Sequence, residues 1–217
     1  MTINIIFIKT KKGFDKRKQQ KIAGIIKQTT KHAAEILKLD NNYIINFTIY
    51  PFDKDYLGGF TQAKDFVQIS IPRKKKLNEE EIKSIIYHEM HHIKRGFFGF
   101  SESKVSLLDA LFSEGLATVF ALEQVSEHIP KWSKYTKPFI KKWISQVKKQ
   151  KFNTNYSHDE WFFGAKDKPF QLGYKLGTYF VDEIKKNHPK LTALKLVKKN
   201  AKDLLRLSNV KINLRSC

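Results

Sequence analysis

Residues 88 to 92 read His-Glu-Met-His-His. On an α-helix, at about 100° per residue, His92 falls about 40° from His88 and Glu89 about 100° from it. All three side chains then share one side of the cylinder. Two imidazoles four residues apart can close on a single Zn²⁺, and the glutamate is placed to take a proton from a zinc-activated water. That is the chemistry of metal-assisted hydrolysis. His91 falls about 300° from His88 and is expected at the rim or in solvent.

The motif needs a helix to hold it. Asn78, with Glu81 three residues on, makes a capping-box-like start just ahead of the apolar residues. Ile82, Ile86 and Ile93 lie at about 120° to 160° on the same wheel, a core stripe beside the His88/His92/Glu89 face. A catalytic zinc usually takes three protein ligands and keeps one open position. The metzincin spacing, a histidine six residues after the second with a glycine between, is excluded, because Phe98 and Arg95 occupy those places. The other arrangement uses a glutamate on a following helix. Residues 105 to 122 offer Glu114. Leu107, Leu111, Thr118 and Ala121 lie within about 60° of it on that wheel, with Ala110 and Ala117 on its other flank. An ionised carboxylate among such neighbours is costly unless paired or metal-bound. Zinc would resolve the conflict; pairing with a basic side chain would as well.

His88-Glu89-Met90-His91-His92 with the downstream Glu114-Gly115-Leu116-Ala117 resembles the gluzincin metallopeptidases. Adding Leu107-Leu108-Asp109-Ala110 and Gly173-Tyr174-Lys175-Leu176-Gly177, the chain is similar to the bacterial YjaZ-like group, a domain-of-unknown-function family of predicted zinc-dependent proteases. The resemblance covers about residues 40 to 185. It implies an α+β, zincin-like catalytic domain that cleaves peptide bonds, with zinc on His88, His92 and Glu114 and Glu89 as general base. It departs from the pattern at Thr118, where some gluzincins carry an aspartate that orients a zinc-binding histidine, so the outer partner of His88 and His92 is unassigned. The Gly-x-Met-x-Asn segment of gluzincin aminopeptidases is absent from the sequence.

Around these motifs one domain is expected over residues 1–217, sheet-rich with one long helix over 1–77 and mainly helical over 78–217. Thr2–Ile8 reads as a buried strand, too short to span a membrane and unlike an export signal. Residues 16–39 read as a helix, and residues 43–50 as a strand followed by a turn. After Gly58-Gly59, residues 65–71 alternate apolar and polar as a half-exposed strand. The resemblance implies that this strand is the sheet edge on which a substrate lies; an ordinary internal strand is equally compatible. Residues 132–147 and 190–206 read as helices with apolar stripes and lysine-rich outer faces. The single cysteine is Cys217, so intramolecular disulfides and cysteine ligation are excluded and a cytoplasmic location is expected.

A formal net charge of +20, from 41 basic and 21 acidic side chains, favours acidic partners. From Glu102 to Glu127 only Lys104 is basic, so the positive charge does not concentrate at the expected zinc site. A peptide or protein substrate, favoured where it is acidic, is the expected partner; a specific nucleic acid is not. Tyr174 is the first candidate to stabilise the oxyanion, with His158 and Tyr156 behind it, although a tyrosine packing its ring structurally is at least as compatible. Two alternatives remain: a basic nucleic-acid-binding protein, and an inactive metal-binding scaffold that acts as an interaction module.

Overall fold

A computed structural model of the chain describes residues 1–10, 13–53, 57–74, 76–99, 105–165 and 167–211. Cys217 lies outside them. The fold is mixed α+β and divides into two compact units, residues 1–101 with 121–128 and residues 102–120 with 129–217.

The first unit is built on a four-stranded sheet. Strands β1 (Thr2–Phe7), β2 (Ile44–Phe52) and β4 (Phe66–Pro72) are parallel, and β3 (Gly58–Ala63) runs antiparallel to β4, in the order β1-β2-β4-β3. Register explains which face is buried. Phe47 sits between Ile5 and Val67, and Ile49 between Phe7 and Ile69, so alternate residues of each strand fall on one side. Ile45, Phe47, Ile49, Val67, Ile69 and Ile71 are all buried there. The parallel β1–β2 pair requires a crossover, and α1 (Lys16–Leu37) supplies it. Its start is capped by Asp15, whose carboxylate accepts from the Lys18 amide at 2.7 Å, and its end by Lys38 in the left-handed region. Helix α2 (Glu79–Arg95) packs against α1 and β3.

Gly58-Gly59, which carried no expectation of a strand, opens β3, held by pairing with β4 despite the poor strand propensity of glycine. Of the two readings open for residues 65–71, β4 is the internal strand, and β3 is an edge of the sheet. One expectation is corrected here. β1, expected to be buried, forms the other edge, with every residue half-buried or exposed; its apolar residues reflect strand pairing on one side alone.

In the second unit, α3 (Leu107–Gln124) starts from a reciprocal cap. The Asp109 amide donates to Ser106 Oγ at 3.2 Å, and that hydroxyl donates to Asp109 Oδ2 at 2.5 Å. The next orphan amides, Leu107 and Leu108, donate to the carbonyls of Asn153 and Lys151 at 3.1 and 2.9 Å. Helix α4 (Lys137–Gln150) buries Ile140, Trp143 and Val147 and leaves Phe139 and Ile144 half-buried, so its apolar stripe faces the core. Its start is later than expected, because residues 131–133 form a separate 3₁₀ turn and Thr136 caps the helix. Helix α5 (Leu172–Asn187) crosses α3 at two glycines. A Cβ on Gly115 would lie 2.8 Å from Gly177 Cα, and a Cβ on Gly177 would lie 2.9 Å from the Gly115 nitrogen, distances that real Cβ atoms essentially never show. Gly173 likewise leaves room for the Phe162 ring. The expected closing helix is two short ones, α6 (Ala193–Leu196) and α7 (Ala201–Ser208). Asn200 breaks the run, its side chain accepting from the Asp203 amide at 2.9 Å as the cap of α7. Among the described residues no helix is long and apolar enough to cross a membrane.

Candidate metal centre

Helix α2 begins as the sequence leads one to expect. Asn78 Oδ1 accepts from the amides of Glu80 and Glu81 at 3.1 and 3.4 Å, and Glu79, Glu80 and Glu81 in the first turn complement the helix dipole. Gly96, at φ 80°, ends the helix in the left-handed conformation and donates to the His92 carbonyl at 2.9 Å. Between these caps every residue from Ser84 to Ile93 is buried. That includes His91, at 0 % exposure, which corrects its expected place at the rim. A wheel gives the direction of a side chain but not what covers it, and this part of α2 is enclosed on all sides.

His88 and His92 point their rings at one another. Their Nε2 atoms are 3.0 Å apart, with ring centroids 4.7 Å apart and planes crossing at 78°. Two nitrogens on one tetrahedral zinc, each at about 2.0–2.1 Å, stand about 3.3 Å apart, so the observed pair suits a shared ion. Both rings are buried, at 5 % and 4 % exposure, as is Glu114 on α3 at 7 %. Two imidazole nitrogens and one carboxylate are a donor set suited to zinc.

Glu89 packs against the edge strand. It is 3 % exposed, and Thr61 Oγ1 lies 2.7 Å from its Oε2 and 3.2 Å from its backbone carbonyl. Its carboxylate lies over Gly59, where a Cβ would come 2.8 Å from Glu89 Cδ. Gly59 and Thr61 are the residues that sequence reasoning missed. The glycine pair was visible, but its meaning depends on a strand pairing that local pattern does not reveal.

Near Glu114 in the second unit stand Tyr156 and His158. Burial, and then the negative fields of Glu114 and Asp109, push the Tyr156 hydroxyl up to about 12. Burial holds His158 below its ordinary value, with Glu114 opposing that shift. His158 stacks on Phe162 at 4.4 Å and 15°, across the start of a π-helical turn, Asp159–Gly164. Such turns are frequent at functional sites. Tyr174, half-buried on α5, meets the edge of the same Phe162 ring at 5.3 Å and 86°. Its surroundings thus include the packing role anticipated for it. The Gly-Tyr-x-x-Gly segment has a second role, since Gly177 permits the close approach of α5 to α3 one residue from Glu114.

No curated protein matches the chain. A family model does match it, over residues 22–206, and that span contains both histidines, Glu89, Glu114 and the strand carrying Thr61. The chain belongs to the family DUF2268, described as predicted Zn-dependent protease.

Proposed function

We propose that this protein is a zinc-dependent peptidase of the gluzincin type on a zincin-like fold, with His88, His92 and Glu114 as metal ligands and Glu89 as general base. The observation that carries this reading is the pair of facing, buried imidazoles His88 and His92, whose Nε2 atoms stand 3.0 Å apart on the helix that also carries Glu89. When bound, zinc would polarise a peptide carbonyl and acidify a water molecule.

The remaining work falls to the chain. Glu89, buried on the histidine-bearing helix, receives the proton of the attacking water and returns it to the leaving amine. Strand β3 is a sheet edge, and an edge takes up an extended peptide through main-chain bonds without demanding a particular sequence. The role that the resemblance implied for a substrate-binding edge thus passes to β3. Donation to the substrate oxygen falls to one of Tyr174, Tyr156 and His158. A tyrosine hydroxyl is protonated at neutral pH and can donate, and Tyr156 is buried close enough to Glu114 to feel its charge. A basic exterior, with a net charge of +20, favours acidic substrates.

The test is metal analysis of the wild type beside Glu114→Ala, with casein cleavage measured for wild type and Glu89→Gln. The reading requires one zinc per wild-type chain, loss of metal in Glu114→Ala, and retention of metal without cleavage in Glu89→Gln. Wild-type protein purified with no zinc and no affinity for it would refute the reading.

A further inference from the structure

We propose that strand β3 positions the general base, with Thr61 holding one carboxylate oxygen of Glu89 and Gly59 making room for the other. This rests on the assignment of Glu89 in the proposed function. Gly59 and Thr61 are two apart on one strand, so they face the same side of the sheet. Their partners in β4 are Ile69 and Val67, both fully buried, which places them on the helix-covered face. The Thr61 hydroxyl donates to Glu89 Oε2 at 2.7 Å, in a setting where Thr61 and Glu89 are each 3 % exposed. A hydrogen bond to a buried carboxylate is among the stronger kinds, and it fixes the rotation of the group as well as its energy.

Glu89 Oε1 lies where the Cβ of any residue but glycine at position 59 would stand. The carboxylate therefore rests against the strand backbone, one oxygen tethered and the other left for proton transfer. The register of β3 on β4 becomes irregular between Thr61 and Ala63, immediately after the tethering residue. Bulges of this kind re-aim side chains beside active sites. The edge strand thus joins two tasks, the uptake of an extended chain and the aim of the base.

Three variants and two readouts test this. Thr61→Val removes the hydroxyl at nearly constant shape, Thr61→Ser restores it, and Gly59→Ala pushes the carboxylate aside. In Gly59→Ala the atoms displaced are the flexible end of the Glu89 side chain, so the variant remains folded. In steady-state peptide cleavage, kcat of Thr61→Val and Gly59→Ala falls about 10- to 100-fold, the usual cost of losing such a supporting contact. KM and zinc content stay at wild-type values, and Thr61→Ser recovers most of the rate. The second readout uses metal-free protein labelled with ¹³C in the glutamate side-chain carboxyl. The Glu89 signal, assigned by its absence in Glu89→Gln, shifts in Thr61→Val and returns in Thr61→Ser. Wild-type kcat in Thr61→Val, or an unmoved Glu89 signal, overturns the proposal and leaves the peptidase reading standing. Full activity in Glu89→Gln removes the base assignment and this proposal together, even where the carboxyl signal still responds to Thr61.

Discussion

Two helical glycines in this protein should respond to alanine with opposite signs. Gly177 lies in α5, where a Cβ would fall inside 3.0 Å of the Gly115 nitrogen and of the Leu111 carbonyl oxygen, against an ordinary contact of 3.4–4 Å. Both neighbours are backbone atoms of α3, so no side chain can rotate away, and the helices must part by roughly 1 Å against a close-packed interior. Overpacking of this kind costs about 1–3 kcal/mol, while the helix propensity of alanine returns about 0.8–1.0 kcal/mol. Because backbone meets backbone, the cost falls at the upper end of that range, and Gly177→Ala should lose about 2 kcal/mol in net stability. Gly24 lies within α1, where a Cβ would meet nothing within 4 Å. Only the propensity term acts there, and Gly24→Ala should gain up to about 1 kcal/mol. Urea unfolding followed by circular dichroism reads both, as midpoint shifts in opposite directions at unchanged slope. A Gly177→Ala protein as stable as the wild type would refute the backbone crossing of α3 and α5. Because Gly115 adjoins Glu114, the same variant should also bind zinc more weakly than Gly24→Ala does.

Further outcomes follow from individual groups. Glu114→Ala should lower zinc affinity by more than the 10- to 100-fold typical of an outer-contact substitution, read by competition with a chelating dye; wild-type affinity would remove Glu114 from the ligand set. Glu89→Gln should keep its zinc and cleave casein about 10²- to 10⁴-fold more slowly. Asp182 accepts from the Tyr135 hydroxyl at 2.6 Å, and burial raises its carboxyl above the ordinary 3.8, with Tyr135 and Lys185 opposing. The native state then binds the proton more tightly than the unfolded state, so this contribution to stability is present below 3.8 and lost as pH rises through the folded value. Asp182→Asn, which still accepts from Tyr135, should gain stability relative to the wild type as pH rises through that window and level off above it. A pH-independent difference between the two proteins would refute that account.

What could be read from the sequence is what depends on neighbours a few residues away. The i, i+4 spacing of His88 and His92, the Asn78 cap, and the apolar faces of α1 and α4 are set by helix geometry, and the structure reproduces them. Glu114 could be singled out because a carboxylate among Leu107, Leu111 and alanines conflicts with its surroundings wherever the helix sits. Where the chain must meet distant segments, local pattern had no purchase. Gly58-Gly59 carries no strand signal until β4 pairs with it, and only that pairing makes β3 the edge and brings Thr61 to Glu89. The burial of His91 and the backbone contact of Gly115 with Gly177 likewise depend on which elements pack together. The available chemistry could be read from the chain, because residue type and helical period are local properties. What aims that chemistry could not, because strand order and helix crossings are selected by the burial of the whole chain.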